Sequence, residues 1–203
     1  MKKILLLVLF LSIQLFLCSC GKVRDTANAA EGMKNYAKDM KESSSKMEAR
    51  KAKGDTISIP YKELQQLLPS SISGYIKEGE PKGETMSMSG FSYSTASQVY
   101  KNGNAEIKVN IMDYNASSVA FGAATAMFAT GFTVDNDEEH IGKIDLGING
   151  VKAWEDVKKK EKNSTIIAGV NDRFLVTAEG KNAETEAVKE AIKSVDLNKL
   201  MGM

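Results

Sequence analysis

One stretch limits the fold more than any other. Over residues 105–113, Ala105, Ile107, Val109 and Ile111 alternate with Glu106, Lys108, Asn110 and Met112. That period of two belongs to a strand with one buried face. Just before it, Asn102-Gly103 follows a Ser-, Thr- and aromatic-rich run at 86–100. Asn-Gly between two extended runs marks a tight hairpin. The turn length leaves two registers open, with Ala105 opposite Tyr100 or opposite Lys101. A chain with such a hairpin has a sheet face to cover.

The flanking sequence supplies the covers. Residues 117–130 are almost all apolar, including Val119, Phe121, Ala124 and Phe128. They predict a helix capped by Asn115 or Ser117 and stopped by Gly131. At about fourteen residues it is too short to span a bilayer, so its apolar faces predict burial. Four more strands are expected at 141–146, 151–159, 164–170 and 173–179, with turns at Asn149-Gly150, Glu161-Lys162-Asn163 and Asn171-Asp172. A last helix at 183–195, capped by Asn182, carries the stripe Ala187, Val188, Ala191, Ile192 and Val195. Leu197 and Leu200 are expected to dock the remaining tail. Ahead of the hairpin, Pro60 starts a short helix with Leu64, Leu67 and Leu68 on one face, ended by Pro69. A short strand at 75–80 is expected to close at Pro81-Lys82-Gly83. From residue 105 the order is strand, helix, four strands, helix. The expectation is a single α+β domain at 55–203. Its curved antiparallel sheet carries both long helices on one face.

The start of the chain is of another kind. Lys2 and Lys3 precede an apolar run at 4–17, and then come Leu17-Cys18-Ser19-Cys20-Gly21. A charged start, an apolar stretch and a small residue before a cut make a secretory leader. With Cys20 directly after the cut, the Leu17-Cys18-Ser19-Cys20 segment resembles the lipobox of bacterial membrane lipoproteins. The resemblance implies a signal peptide at 1–19 and a diacylglycerol thioether on Cys20. It also implies a fatty acyl group, such as palmitate, on the new N-terminus. Two or more chains anchor firmly where one does not. Gly21, in place of the Asp that retains many such proteins in the inner membrane, leans toward the outer membrane with the domain facing the periplasm.

Residues 20–54 are charged and aromatic-poor, with Met33, Tyr36, Met40 and Met47 at helical spacing and Ser43-Ser44-Ser45 between them. They predict a helical or flexible tether; the Met repeat of seven also fits a short coiled coil. The 27 Lys and Arg against 26 Asp and Glu give no basic excess for nucleic acid. Both cysteines, Cys18 and Cys20, belong to the leader region, so stability must come from packing.

Chemistry is sparse. His140 is the one histidine, and no Gly-x-Ser-x-Gly elbow accompanies it. Asp135, Asp137 and Glu139 have the spacing that opens a calcium loop, but His140 and Leu146 stand where its Gly and closing Glu belong. They stay as a loose calcium candidate, and no other metal site is expected. Asp113, Asp135 and Glu155 are carboxylates for an acid–base alternative. Trp154 alternates with Val151, Ala153 and Val157, which places it on the sheet face opposite theirs. There it is expected beside Tyr93, Met112 and Leu175, as a surface for a small amphiphile or an envelope protein partner. The alternative is that the helix starting at Pro60 covers it. Residues 109–113 with Ala120-Phe121-Gly122 resemble a strand–Asp–helix segment of uncharacterised exported bacterial proteins, which implies no activity. The function expected is a lipid-anchored, non-catalytic binding domain. The rival is a structural subunit of an envelope complex.

Overall fold

A computed structural model describes residues 22–88, 91–115 and 117–203. The expected signal peptide at 1–19 and Cys20 lie outside the described residues.

Among the described residues two helices come first, α1 (Lys22–Ala52) and α2 (Tyr61–Gln65). Three strands follow: β1 (Ile76–Met88), β2 (Phe91–Asn102) and β3 (Ala105–Asp113). Two short helices, α3 (Ser118–Ala124) and α4 (Ala126–Thr130), lead to β4 (Val134–Asp135), β5 (Glu139–Ile144), β6 (Val151–Lys158), β7 (Asn163–Val170) and β8 (Phe174–Lys181). Helices α5 (Thr185–Lys193) and α6 (Leu197–Met201) close the chain. The fold class is α+β.

The eight strands form one antiparallel sheet in the order β1-β2-β3-β8-β7-β6-β5-β4. It is two meanders, β1–β3 and β4–β8, zipped together where β3 meets β8, with Ile111 opposite Val176 and Asp113 opposite Phe174. After β3 the chain must cross from mid-sheet to the far edge, five strand spacings or about 24 Å. Helices α3 and α4 make that crossing.

Register explains the two faces. Ile107, Val109 and Ile111 of β3 share a face with Ala178 and Val176 of β8, and with Ile166 and Ala168 of β7. All of these are fully buried. Helices α2, α5 and α6 cover them: Leu64, Val188, Ile192 and Leu200 are each 0% exposed and belong to the same core. Each such side chain contributes about 1.5–3 kcal/mol of burial. The expected docking of Leu197 and Leu200 is observed, through a turn of helix that Asp196 caps by accepting from Lys199 N at 3.0 Å.

The expected packing of both long helices on one face is overturned. A Cβ on Gly180 would meet Val188 of α5, whereas one on Gly169 would meet Phe128 of α4, Phe121 of α3 and Thr125 between them. Gly169 pairs with Leu175 and Gly180 with Ile107. Leu175 and Gly180 are five residues apart on β8, so the two glycines face opposite ways. The crossing to the far edge puts α3 and α4 on the second face. The single helix expected over 117–130 is also broken. Thr125 Oγ1 donates to the Phe121 carbonyl at 2.9 Å, and Thr125 takes a non-helical φ of −109°. A Thr bonding back one turn in this way opens the helix. The expected ends hold: Ser117 accepts from Ala120 N, and Gly131 turns left-handed at φ 65°.

Two expectations about the hairpin are corrected. Ala105 pairs with Asn102, so the turn residues are Gly103 and Asn104, with Gly103 at φ 57°. Strand β1 does not close at Pro81-Lys82-Gly83 but runs through it by a register shift between Glu78 and Lys82. An edge strand tolerates Pro because one row of its backbone donors has no neighbour to serve. The cap expected at Asn182 is absent. Asn182 is itself left-handed at φ 49°, and α5 starts after Glu184 with no side-chain cap.

Candidate functional site

The segment expected as a tether is one helix of 31 residues, about 46 Å long. Its second half is docked on α3, α4 and the ends of β6–β8. The contact face runs Tyr36, Met40, Ser43, Met47 and Arg50, the three-and-four spacing of one helix stripe. Small residues set the approach. Met40 Sδ lies 1.8 Å from where a Cβ on Gly122 would stand, so a larger residue there would have to push the Met40 thioether aside. Ser44 and Ser118 hydroxyls meet at 3.4 Å, and Arg50 Nε donates to Asn115 Oδ1 at 2.9 Å. Lys46 pairs with Asp172 and, at 3.4 Å, with Glu42. Lys152 pairs with Asp39 at 3.0 Å. The hydrogen bond to Asp172 holds the Lys46 ammonium above its usual range. Of the serine run, Ser43 is buried in the contact stripe at 2% exposed, whereas Ser45 faces solvent.

Between α1 and the α3–α4 pair is a cavity of about 260 Å³. Met40, Phe121, Phe128 and Ala129 give it an apolar wall, and Lys46 and Lys152 lie at its polar side. Ser43 lines it, and its buried Oγ has no hydrogen-bond partner. A buried hydroxyl without a partner forfeits about 1–3 kcal/mol. A second hollow of about 450 Å³ adjoins it, sharing Asp39, Phe128, Ala129 and Lys152.

The residues singled out from sequence lie elsewhere. Trp154 and Leu175 are 4% and 5% exposed, on the face that α3 and α4 cross. Trp154 is therefore covered, and not by α2, which packs on β1 and β2. Met112 pairs directly with Leu175, but Tyr93 is on β2, across the meander junction from Trp154 on β6. Tyr93 donates its hydroxyl to Glu84 at 2.9 Å. None of the four lines either hollow. The open Trp154 surface is thus replaced by closed packing. The signal for the real cavity was available in the small residues Ser43, Gly122 and Gly169, which let three layers approach without filling the space between them.

The acidic loop does not gather as a calcium site. Asp135 accepts from Lys159 Nζ at 2.8 Å, which holds its carboxyl below the usual range, and Glu139 pairs with Lys158. Among the described residues no group of three His, Cys, Asp or Glu is placed to hold a metal. His140 lies between two of the carboxylates considered for acid–base chemistry, Nδ1 at 3.4 Å from Asp135 and Nε2 at 3.5 Å from Glu155. Lys189 of α5 pairs with the other Glu155 oxygen at 3.2 Å. Among the described residues no serine is hydrogen-bonded to His140. The hydroxyls of Ser58, Ser92, Ser94 and Thr85 bond to one another at 2.7–2.9 Å and fasten the segment before α2 to β1 and β2.

The third carboxylate, Asp113, is wholly buried. Arg173 grips it with two 2.8 Å bonds, and the N–H groups of Ile59 and Asn115 supply two more, at 2.8 and 2.9 Å. Arg173 also reaches Asp55 Oδ2 at 3.0 Å and the Met203 carbonyl at 3.3 Å. With every acceptor position used, this node ties chain segments together and leaves Asp113 no lone pair for chemistry.

A scan against protein-family models finds no match. No curated protein matches the chain.

Proposed function

We propose that the protein is a lipid-anchored module of the bacterial cell envelope that binds, without catalysis, a small amphiphile in the cavity beneath α1. The observation that carries the binding reading is the cavity itself: an apolar wall of Phe121, Phe128 and Met40, charged groups at one side, and a buried Ser43 Oγ awaiting a partner. Its 260 Å³ and the adjoining 450 Å³ are of the size that holds small ligands. The Leu17-Cys18-Ser19-Cys20 sequence supports the anchor. Gly21 supports an outer-membrane address with the domain in the periplasm. Helix α1, described from Lys22, two positions after Cys20 in sequence, leads to the roof of the cavity.

Two measurements test this. Mass spectrometry of protein isolated from membranes should find an acylated Cys20 at the N-terminus, and an intact Met1 end refutes the anchor. Thermal-shift screening with single-chain alcohols, acids and amines should find a stabilising ligand. Ser43→Leu, which fills the cavity from α1, should abolish that shift while the protein stays folded by circular dichroism. An undiminished shift in this variant refutes the site.

A further inference from the structure

We propose that the ligand is an anionic amphiphile. Its acid group is held by Lys38 and Lys143 in the outer hollow, and its apolar tail lies against Phe128 and Phe121 under α1. This inference rests on the reading of the cavity as a binding site and assigns its polarity.

The argument is one of charge balance along the groove. In the inner cavity each ammonium is already answered: Lys46 by Asp172 and Glu42, Lys152 by Asp39. The outer hollow is lined by Lys38, Lys143 and Lys152 and by the carboxylates Asp39 and Asp145, beside Ile144, Val151 and Phe128. Lys38 and Lys143 are exposed at the mouth of the hollow and form no salt bridge among the described residues. Asp145 also lines the hollow; it accepts from Gly147 N at 2.7 Å, which holds it in its own turn but leaves its charge in place. With Lys152 paired to Asp39, the open end of the groove holds Lys38 and Lys143 against the single carboxylate of Asp145, an excess of one positive charge. At its inner end are side chains buried to 5% and 6% exposure, Phe121 and Phe128. An ammonium head placed at that open end meets a surface of net positive charge. An alkyl or aryl tail placed inward meets apolar side chains and replaces water that they hold poorly. A lysine is a compact point charge that does not select planar over tetrahedral oxyanions, so carboxylate and phosphate heads fit alike. The inner volume suits one short chain or ring and not a two-chain lipid.

The test uses the full-length protein in phospholipid nanodiscs, with empty discs as the blank, and titration calorimetry against octanoate, octyl phosphate, octanol and octylamine. Both anions should bind more tightly than octanol, and octylamine should bind least. The double variant Lys38→Gln with Lys143→Gln alters only exposed side chains and should keep the fold. It should bring the anions down to the affinity of octanol, a loss of about three- to tenfold for two partly exposed charge contacts. Equal or tighter binding of octylamine overturns the head-group assignment. So does an unchanged anion affinity in the double variant. Both outcomes leave the cavity as a binding site. Failure of all four probes overturns the binding reading itself. The tighter of the two anions identifies which oxyanion source the site suits.

Discussion

The pair Arg173–Asp113 offers the sharpest test of how the domain holds together. Consider Arg173→Met. The guanidinium is 3% exposed and makes five contacts, to Asp113 twice, to Asp55, to the Met203 carbonyl and, through its face, to the Phe174 ring at 4.7 Å. Methionine keeps most of the packing but leaves the Asp113 carboxylate buried with only the Ile59 and Asn115 N–H groups as partners. Removing one member of a buried ion pair costs about 3–5 kcal/mol. Asp113→Asn keeps the shape and one good acceptor. It loses the charge and turns an amide donor toward Arg173, so the variant should lose a similar amount. The double variant removes both charges. Its remaining cost is the poorer pairing of two backbone donors, about 1–3 kcal/mol each if left unmet. The cycle should therefore show a coupling of roughly 2 kcal/mol or more, the double variant being far less damaged than the two singles combined. Urea denaturation followed by circular dichroism measures it, with unchanged slopes as the sign that only stability moved. Single variants each within about 1 kcal/mol of the parent, with strictly additive effects, would refute the view that this node is a structural clasp.

Three further outcomes are expected. Gly169→Val should weaken the packing of α3 and α4 on the sheet by about 1–3 kcal/mol, because its Cβ would stand 2.9 Å from Phe128; a thermal midpoint equal to the parent's would contradict the packing. Tyr100 is fully buried and donates to the Pro69 carbonyl at 2.5 Å, and burial pushes its hydroxyl from 10 up to about 12. Its share of stability is therefore complete below pH 10 and is lost as pH rises from 10 to 12, by about 3 kcal/mol. Stability curves against pH should show that loss in the parent and a smaller one in Tyr100→Phe. Trp154 should emit at short wavelength and resist quenching by iodide; a red, readily quenched emission would mean that the α3–α4 cover is absent.

Much of the sheet was legible from alternation alone. The strands expected at 151–159 and 164–170 are observed at Val151–Lys158 and Asn163–Val170. Their inward residues, such as Ala153, Ile166 and Ala168, are buried with the main core. Periodicity says which residues share a face, but not which face a helix will choose. The side taken by α3 and α4 follows from where the chain had to go next, a topological fact that no local pattern carries. Trp154 was correctly assigned to the face opposite Val151 and Ala153, yet its cover was the apolar run at 118–130 and not the helix after Pro60. The candidate cavity was harder still to read. It depends on Gly122, Gly169 and Ser43, three small residues on three elements, and smallness has no period. The thin stripe and high charge of α1 read as a solvated spacer because its docking relies on close approach and ion pairs more than on apolar area.

The meander junction has a consequence for how the protein is made. Arg173 and Asp113 are 60 residues apart in sequence, and β3 gains its second neighbour only when β8 arrives. The first three strands can assemble locally, but the seam must wait for nearly the whole chain to be synthesised. Pairings so distant in sequence form slowly. Until the seam closes, β3 presents an unpaired edge bearing Ile107, Val109 and Ile111, the segment most in need of a holding chaperone.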